Sequence, residues 1–139
     1  MRELGRAADA LESLDNALAI KPNSPDALSN RGSALVDLGR PEEAIKCYDM
    51  ALAINPASAK ALNNRGNVLL VLQCPSEALA NYDKALALTP ANAEVWNNRA
   101  QALRDLKRYD EAIESSRRAL SLKPDYAKAF NNLGNTYLD

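Results

Sequence analysis

Residues Ala59–Asn92 read AKALNNRGNVLLVLQCPSEALANYDKALALTPAN, and the pattern of this 34-residue stretch recurs along the whole chain. Prolines repeat at the same interval, at Pro22, Pro56, Pro90 and Pro124. Two series of alanines do so as well, namely Ala10, Ala44, Ala78 and Ala112, and Ala17, Ala51, Ala85 and Ala119. A fixed period of this length predicts a stack of similar units, each of which buries its apolar face against its neighbours.

Each unit contains two stretches with the periodicity of an α-helix. In the first complete unit, helices are predicted from about Asp26 to Leu38 and from Pro41 to Ile54, because Gly39 favours a helix end and Pro41 a first turn. About seven helices are expected in all. Complete units are predicted for residues 25–58, 59–92 and 93–126, and one helix of an incomplete unit for residues 1–24 and for residues 127–139.

This period resembles that of the tetratricopeptide repeat family, and the residues at fixed positions of each unit agree with it. The bulky residue at position four is Leu28, Leu62, Trp96 or Phe130, and the small residue at position eight is Gly32, Gly66, Ala100 or Gly134. The aromatic residue of position 24 is present as Tyr48 and Tyr82 but is replaced by Leu14 and Ser116. The resemblance implies an all-α fold, in which residues 1–139 form a single right-handed α-solenoid of antiparallel helix pairs.

Composition excludes several classes of function. A formal net charge of −1 removes the electrostatic basis for general nucleic-acid binding. No apolar run approaches the ~20 residues of a membrane-spanning helix, and the N-terminus lacks the apolar core of a signal peptide. Cys47 and Cys74 are the only cysteines and fit the incidental thiols of a reducing compartment. We therefore expect a cytoplasmic protein that binds neither nucleic acid nor membrane.

Catalysis has no support in the sequence. The chain contains no histidine, no cysteine cluster and no glycine-rich phosphate loop, so the usual ligands and bases of metal and triad chemistry are missing. We expect no enzymatic activity, no bound metal and no cofactor.

In repeats of this family the first helix of each unit lines an inner, concave surface, at positions two, five, six, nine and 13. Amide side chains dominate these positions here. The resemblance thus implies a peptide-binding set of Asn30, Asn63, Asn64, Asn67, Asn97, Asn98, Gln101, Asn131, Asn132 and Asn135. Position six carries an unbroken row, Asn30, Asn64, Asn98 and Asn132.

A carboxamide can bind both the carbonyl and the N–H of a peptide unit, so a row of them suits an extended chain of almost any sequence. The row is similar to the asparagine ladder in the superhelix of protein O-linked N-acetylglucosamine transferases. The alternative interpretation is that asparagine at position six is common in the family, bonds a neighbouring repeat, and was copied by duplication.

Some members of the family clamp the terminal carboxylate of chaperones with cationic side chains. Asn67, Asn98 and Lys128 fit that pattern, but Asn63 stands in place of a lysine and Asn132 in place of an arginine. Without paired cations the charge-assisted hydrogen bonds are lost, so this binding mode is not expected.

Arginine replaces the usual leucine of position seven in three units, at Arg31, Arg65 and Arg99, and only Leu133 agrees with the family. This position points toward a neighbouring helix, so we expect structural ion pairs rather than a basic binding stripe. The candidate partners are Asp37, Asp49, Asp83 and Asp105.

The leading hypothesis is a protein–protein interaction scaffold that binds an extended peptide in its concave groove, with a protein or peptide partner that the sequence does not identify. One alternative is head-to-tail assembly of a homo-oligomer, because the incomplete units at the two ends complement each other. Another is the substrate-recruiting arm of a larger enzyme, such as a glycosyltransferase.

Overall fold

The computed structural model describes residues 2–139, which form eight α-helices joined by short turns. They are α1 (Arg2–Ile20), α2 (Pro25–Asp37), α3 (Pro41–Ile54), α4 (Ala59–Val71), α5 (Pro75–Leu88), α6 (Ala93–Asp105), α7 (Tyr109–Leu122) and α8 (Ala127–Leu138). The sequence led us to expect about seven helices, and three pairs with one further helix at each end make eight. No β-strand occurs within residues 2–139.

Local sequence explains where the helices begin. Ser24, Ser58 and Asn92 each accept a hydrogen bond from a backbone N–H of the first turn of α2, α4 or α6, which satisfies a donor that the helix leaves free. Pro41 and Pro75 occupy the first positions of α3 and α5, where the missing N–H costs nothing.

The turns within the helix pairs share one backbone conformation. The residue that follows the C-cap of α2, α4 or α6 has a left-handed φ. These residues are Gly39 (72°), Gln73 (61°) and Lys107 (61°). Gly39 ends α2 as expected, because glycine adopts this conformation without steric conflict.

The contacts between helices set the curvature of the array. We call α2, α4, α6 and α8 the first helices, and α1, α3, α5 and α7 the second helices. Each first helix packs closely against the next first helix along the array, whereas the backbones of successive second helices lie farther apart within residues 2–139. The array therefore bends toward the first helices, which line its inner surface, called the groove below. Residues 25–58, 59–92 and 93–126 are called repeats one, two and three.

Close packing inside repeats one and two depends on a glycine facing a tyrosine. A Cβ added at Gly66 would lie 2.6 Å from Cε1 of Tyr82, and one added at Gly32 would lie 2.8 Å from Cζ of Tyr48. Both rings are buried, and Tyr82 is 0% exposed. Real Cβ contacts are not this short, so any side chain at Gly32 or Gly66 would clash with the tyrosine ring. The buried tyrosines therefore require glycine at these positions.

Arginines at position seven join successive repeats. In repeat two, Nε of Arg65 donates to Oδ1 of Asp49 at 2.8 Å, and Nη1 donates to Oδ1 of Asn81 at 3.4 Å. One guanidinium thus connects α3, α4 and α5. The expected structural ion pairs are present, and Asp49 was among the candidate partners.

The same arrangement recurs in the neighbouring repeats. Arg99 donates to Asp83 at 2.7 Å and Arg31 donates to Asp15 at 2.7 Å. The expectation that Asp37 and Asp105 pair with these arginines was wrong, because both aspartates lie on first helices, while the partners come from the preceding second helix. The carboxylates are about half exposed, so each pair contributes only ~0–1 kcal/mol.

Candidate functional site: the amide-lined groove

The row at position six keeps contact with solvent. Asn30 is exposed, and Asn64, Asn98 and Asn132 are partly exposed on the groove. The neighbouring residues at position five differ, since Asn63 is 8% exposed and Asn97 5% exposed, and they therefore lie beneath the groove surface.

Hydrogen bonds link the two positions across adjacent first helices. Nδ2 of Asn98 donates to Oδ1 of Asn63 at 3.0 Å, and Nδ2 of Asn132 donates to Oδ1 of Asn97 at 2.7 Å. Each buried carboxamide thus fixes the orientation of the more exposed one in the following unit. At the α2–α4 junction, position five is Ser29, and Asn64 there lines a cavity instead.

Position nine links the groove to the core. The hydroxyl of Tyr82 donates to Oδ1 of Asn67 at 2.6 Å, and the hydroxyls of Ser33 and Tyr48 lie 3.0 Å apart. Burial raises the pKa of Tyr82 and of Tyr48 above that of a free phenol, so both hydroxyls stay protonated at neutral pH. This bond uses one of the two lone pairs of the Asn67 oxygen and leaves its amide N–H groups for a ligand.

The remaining predicted residues occupy the two ends of the groove. Asn131 and Asn135 are exposed on α8, while Gln101 donates to Oδ1 of Asp105 at 3.0 Å. At the other end, Nζ of Lys60 lies 3.5 Å from Oδ1 of Asn30. The structure therefore brings the ten residues onto the first helices as one band, with Asn63 and Asn97 below it.

A cavity of about 490 Å³ opens on the groove between α2 and α4. Its lining includes Ser33, Val36, Asp37, Asn64, Val68 and Val71. Sequence reasoning missed this feature. The signal was present at position 13, where Val71 interrupts a series that otherwise reads Asp37, Asp105 and Asp139.

Charge in the groove is mixed. Position two alternates in sign along the array, with Asp26, Lys60, Glu94 and Lys128. Among residues 2–139 there is no group of three or more cysteine, aspartate or glutamate side chains that is placed to hold a metal ion. None of the described helices combines the length and the apolar character needed to cross a bilayer.

Comparison with protein-family models identifies tetratricopeptide repeats throughout the chain. A model described as TPR repeat matches residues 1–39 and 100–139, and one described as tetratricopeptide repeat matches residues 25–58 and 59–92. A further tetratricopeptide repeat model matches residues 81–114. No curated protein matches.

Solved structures with the same architecture include MamA residues 41–end from Desulfovibrio magneticus RS-1. It is 27% identical with a TM-score of 0.89, and the match covers 99% of this chain and 78% of that one. The Arabidopsis OM64 TPR domain is 27% identical, with a TM-score of 0.78 and coverage of 81% and 93%. The second TPR domain of human RPAP3, in complex with the HSP70 peptide SGPTIEEVD, is 25% identical, with a TM-score of 0.77 and coverage of 82% and 98%.

Proposed function

Because this chain belongs to the tetratricopeptide repeat family, we propose that it is an interaction scaffold whose groove binds an extended segment of another protein through the main chain of that segment. The contacting residues are the row at position six, Asn30, Asn64, Asn98 and Asn132, together with Asn67, Gln101, Asn131 and Asn135. Asn63 and Asn97 hold two members of this row, Asn98 and Asn132, from below.

The geometry of Asn98 and Asn132 carries the proposal. Nδ2 of Asn98 makes one bond to the preceding unit and leaves a second N–H and the carbonyl oxygen of its amide. Nδ2 of Asn132 donates to both the side-chain and the main-chain oxygen of Asn97 and leaves its carbonyl oxygen. The two free groups of Asn98 match the carbonyl and the N–H of a peptide unit, and the free oxygen of Asn132 matches the N–H. Their orientation is already fixed, so less side-chain entropy is lost when a ligand binds.

Asparagine at position six also lowers the stability of the first helices, which suggests that it is retained for a function. It is less favourable than alanine in a helix interior by roughly 0.6 kcal/mol, and this cost recurs in four successive first helices. The two inter-repeat hydrogen bonds offset part of it, but Asn30 is exposed and makes none of these inter-repeat carboxamide bonds.

The acidic peptide in the RPAP3 complex provides a useful contrast. SGPTIEEVD ends in several carboxylates. The cations of this groove at position two, Lys60 and Lys128, alternate with Asp26 and Glu94, and Asp37 and Asp105 add further carboxylates. Cationic donors are needed to hold a cluster of carboxylates. The partner of this chain is therefore expected to be a segment of different charge, held by its backbone.

The test begins with selection of binders from a phage-displayed library of random 12-residue peptides. We expect the selected peptides to lose at least tenfold in affinity when Asn64, Asn98 and Asn132 are all replaced by alanine, as measured by isothermal titration calorimetry. N-methylation of single peptide bonds in the ligand should weaken binding as strongly as truncation of a side chain, because a methylated nitrogen cannot donate.

Asn16→Ala is the matched control, since Asn16 is exposed on α1, outside the groove. Circular dichroism should show that the triple variant keeps its helix content. Unchanged affinity of the folded triple variant, or the failure of any peptide to bind the unmodified chain, would contradict the proposal.

Self-association is a second candidate, favoured by open surfaces on α8 and α1. A Cβ at Gly134 would meet nothing within 4 Å, and Phe130, Tyr137 and Leu138 are exposed. The repeat period places Leu14 of a second copy opposite Gly134. The sedimentation coefficient should rise with concentration and should fall again in Leu138→Lys; a constant value from micromolar to millimolar concentration excludes this candidate.

A further inference from the structure

Valines are concentrated at one of the three equivalent junctions of the groove. The α2–α4 junction is bordered by Val36, at position 12 of repeat one, and by Val68 and Val71, at positions 10 and 13 of repeat two. The equivalent residues at α4–α6 are Leu70, Ala102 and Asp105, and those at α6–α8 are Arg104, Thr136 and Asp139. In the last set, Arg104 and Asp139 form an ion pair. The first junction therefore has three valines with the carboxylate of Asp37 beside them, whereas charged residues stand among the equivalent three at the other junctions.

Val71 is exposed although it lines the cavity. Its side chain is 65% exposed, whereas Val68, one turn earlier on the same helix, is 2% exposed. An isolated exposed valine is common on protein surfaces. This one, however, forms the wall of a depression of about 490 Å³, together with Val36 on the opposite helix.

Polar groups lie beside these valines in the lining of the cavity. Asn64 and Asn67 lie on α4, and the hydrogen-bonded hydroxyls of Ser33 and Tyr48 lie on the other side of the cavity. An apolar pocket with a few fixed polar groups is the usual composition of a ligand subsite. The Asn64 carboxamide would bind the main chain next to the residue that enters the cavity.

Asp37 supplies the charge of this subsite. It is the only charged residue among those that line the cavity, and none of the ion pairs within residues 2–139 includes it. Asp37 is exposed, so it attracts a cation as a solvated carboxylate does, with a modest gain in affinity.

We infer that this cavity is a specificity subsite, which takes an aliphatic side chain of the bound segment and pairs Asp37 with a lysine or arginine two residues away from it. The inference rests on the proposed function. In an extended chain, residues i and i+2 point to the same side and lie ~7 Å apart. A long basic side chain can span from the second of these positions to the rim of the cavity.

The peptides selected from the phage library test the composition of the partner directly. They should share an aliphatic residue with a lysine or arginine two positions away. Val71→Asp copies the residue that the chain itself carries at Asp37, Asp105 and Asp139, and we expect it to weaken binding of these peptides at least tenfold. Val71→Leu keeps the surface apolar and should retain binding within about threefold, which also shows that the position tolerates substitution.

A second variant separates charge from shape. Asp37→Asn should lower the affinity for peptides that contain the basic residue at least threefold, and should leave unchanged the affinity for the same peptides with serine in its place. The methyl NMR signals of Val36, Val68 and Val71 should shift on binding, whereas those of Val95, which is 1% exposed on α6, should not.

The outcomes distinguish this inference from the proposed function. If peptides bind and depend on Asn64, Asn98 and Asn132, but show no aliphatic preference and bind Val71→Asp equally well, the subsite is overturned and the scaffold stands. If peptides prefer the aliphatic and basic pair and lose affinity in Val71→Asp but not in the triple asparagine variant, the subsite stands and main-chain recognition is overturned. Failure of every peptide to bind overturns both.

Discussion

Repeats one and two differ from repeat three in what fills the space between their two helices. In repeats one and two a glycine on the first helix faces a tyrosine on the second, as Gly32 with Tyr48 and Gly66 with Tyr82. In repeat three the same positions hold Ala100 and Ser116, both buried. The larger residue on one helix accompanies the smaller residue on the other, which shows that the two positions share one volume.

The difference extends into the groove. The tyrosine hydroxyls of repeats one and two bond Ser33 and Asn67 at position nine, so the core positions a groove residue. In repeat three Gln101 bonds Asp105 within α6, and the hydroxyl of Ser116 is buried without a hydrogen-bond partner in the part of the chain that the structure describes. Repeats one and two are therefore expected to hold their part of the groove more rigidly.

The largest effect should come from removing one of the tyrosines. We expect Tyr82→Ala to lower the free energy of unfolding by ~3–5 kcal/mol, because it leaves a cavity that Gly66 cannot fill. Ser116→Ala should instead be neutral or raise the free energy of unfolding by up to about 1 kcal/mol, since it removes a buried hydroxyl that has no partner. Urea denaturation followed by circular dichroism measures both; equal losses in the two variants would show that the repeats do not differ.

Glycine substitutions should give a smaller contrast. Gly66→Ala forces a methyl group against the buried Tyr82 ring, and the resulting strain of ~1–3 kcal/mol exceeds the gain in helix propensity of about 1 kcal/mol. Gly134→Ala meets nothing within 4 Å and should gain about 1 kcal/mol from helix propensity alone. The same denaturation experiment compares them, and a stabilised Gly66→Ala variant would contradict the shared-volume argument.

The smallest effect should appear at high pH. Burial raises the pKa of Tyr48 and Tyr82 in the folded chain, while an unfolded tyrosine titrates near pH 10. The unfolded state therefore loses protons first, so stability falls as pH rises above about 10. The urea midpoint should fall less steeply between pH 10 and 11 in Tyr48→Phe/Tyr82→Phe than in the unmodified chain, and identical slopes would contradict this assignment.

The periodicity of the sequence was sufficient to predict stacked pairs of helices, and the resemblance to a family implied the right-handed solenoid. Helix pairs follow from proline and glycine at fixed intervals, and the predicted bounds of α2, Asp26 to Leu38, lie within one residue of those observed. Resemblance to a family then placed the amide residues on one surface. These features are local or periodic, so a single unit contains the information for them.

Features that depend on two neighbouring units could not be predicted in this way. The burial of Asn63 and Asn97 results from the approach of the following first helix. The choice of Asp15 by Arg31, and not of Asp37, depends on which second helix faces the guanidinium. The cavity at Val71 needs side chains from α2 and α4 together. Each is a property of a junction rather than of a repeat.

The arginine at position seven has a consequence for duplication of the repeats. Its aspartate partner belongs to the preceding unit, as in Arg65 with Asp49, so a second copy of residues 59–92 inserted after residue 92 would place the new arginine opposite Asp83. The same copy inserted after residue 126 would place it opposite Arg117, where the existing neighbour is the uncharged Leu133. Lengthening of this array by gene duplication is thus electrostatically compatible at one border and opposed by like charges at the other.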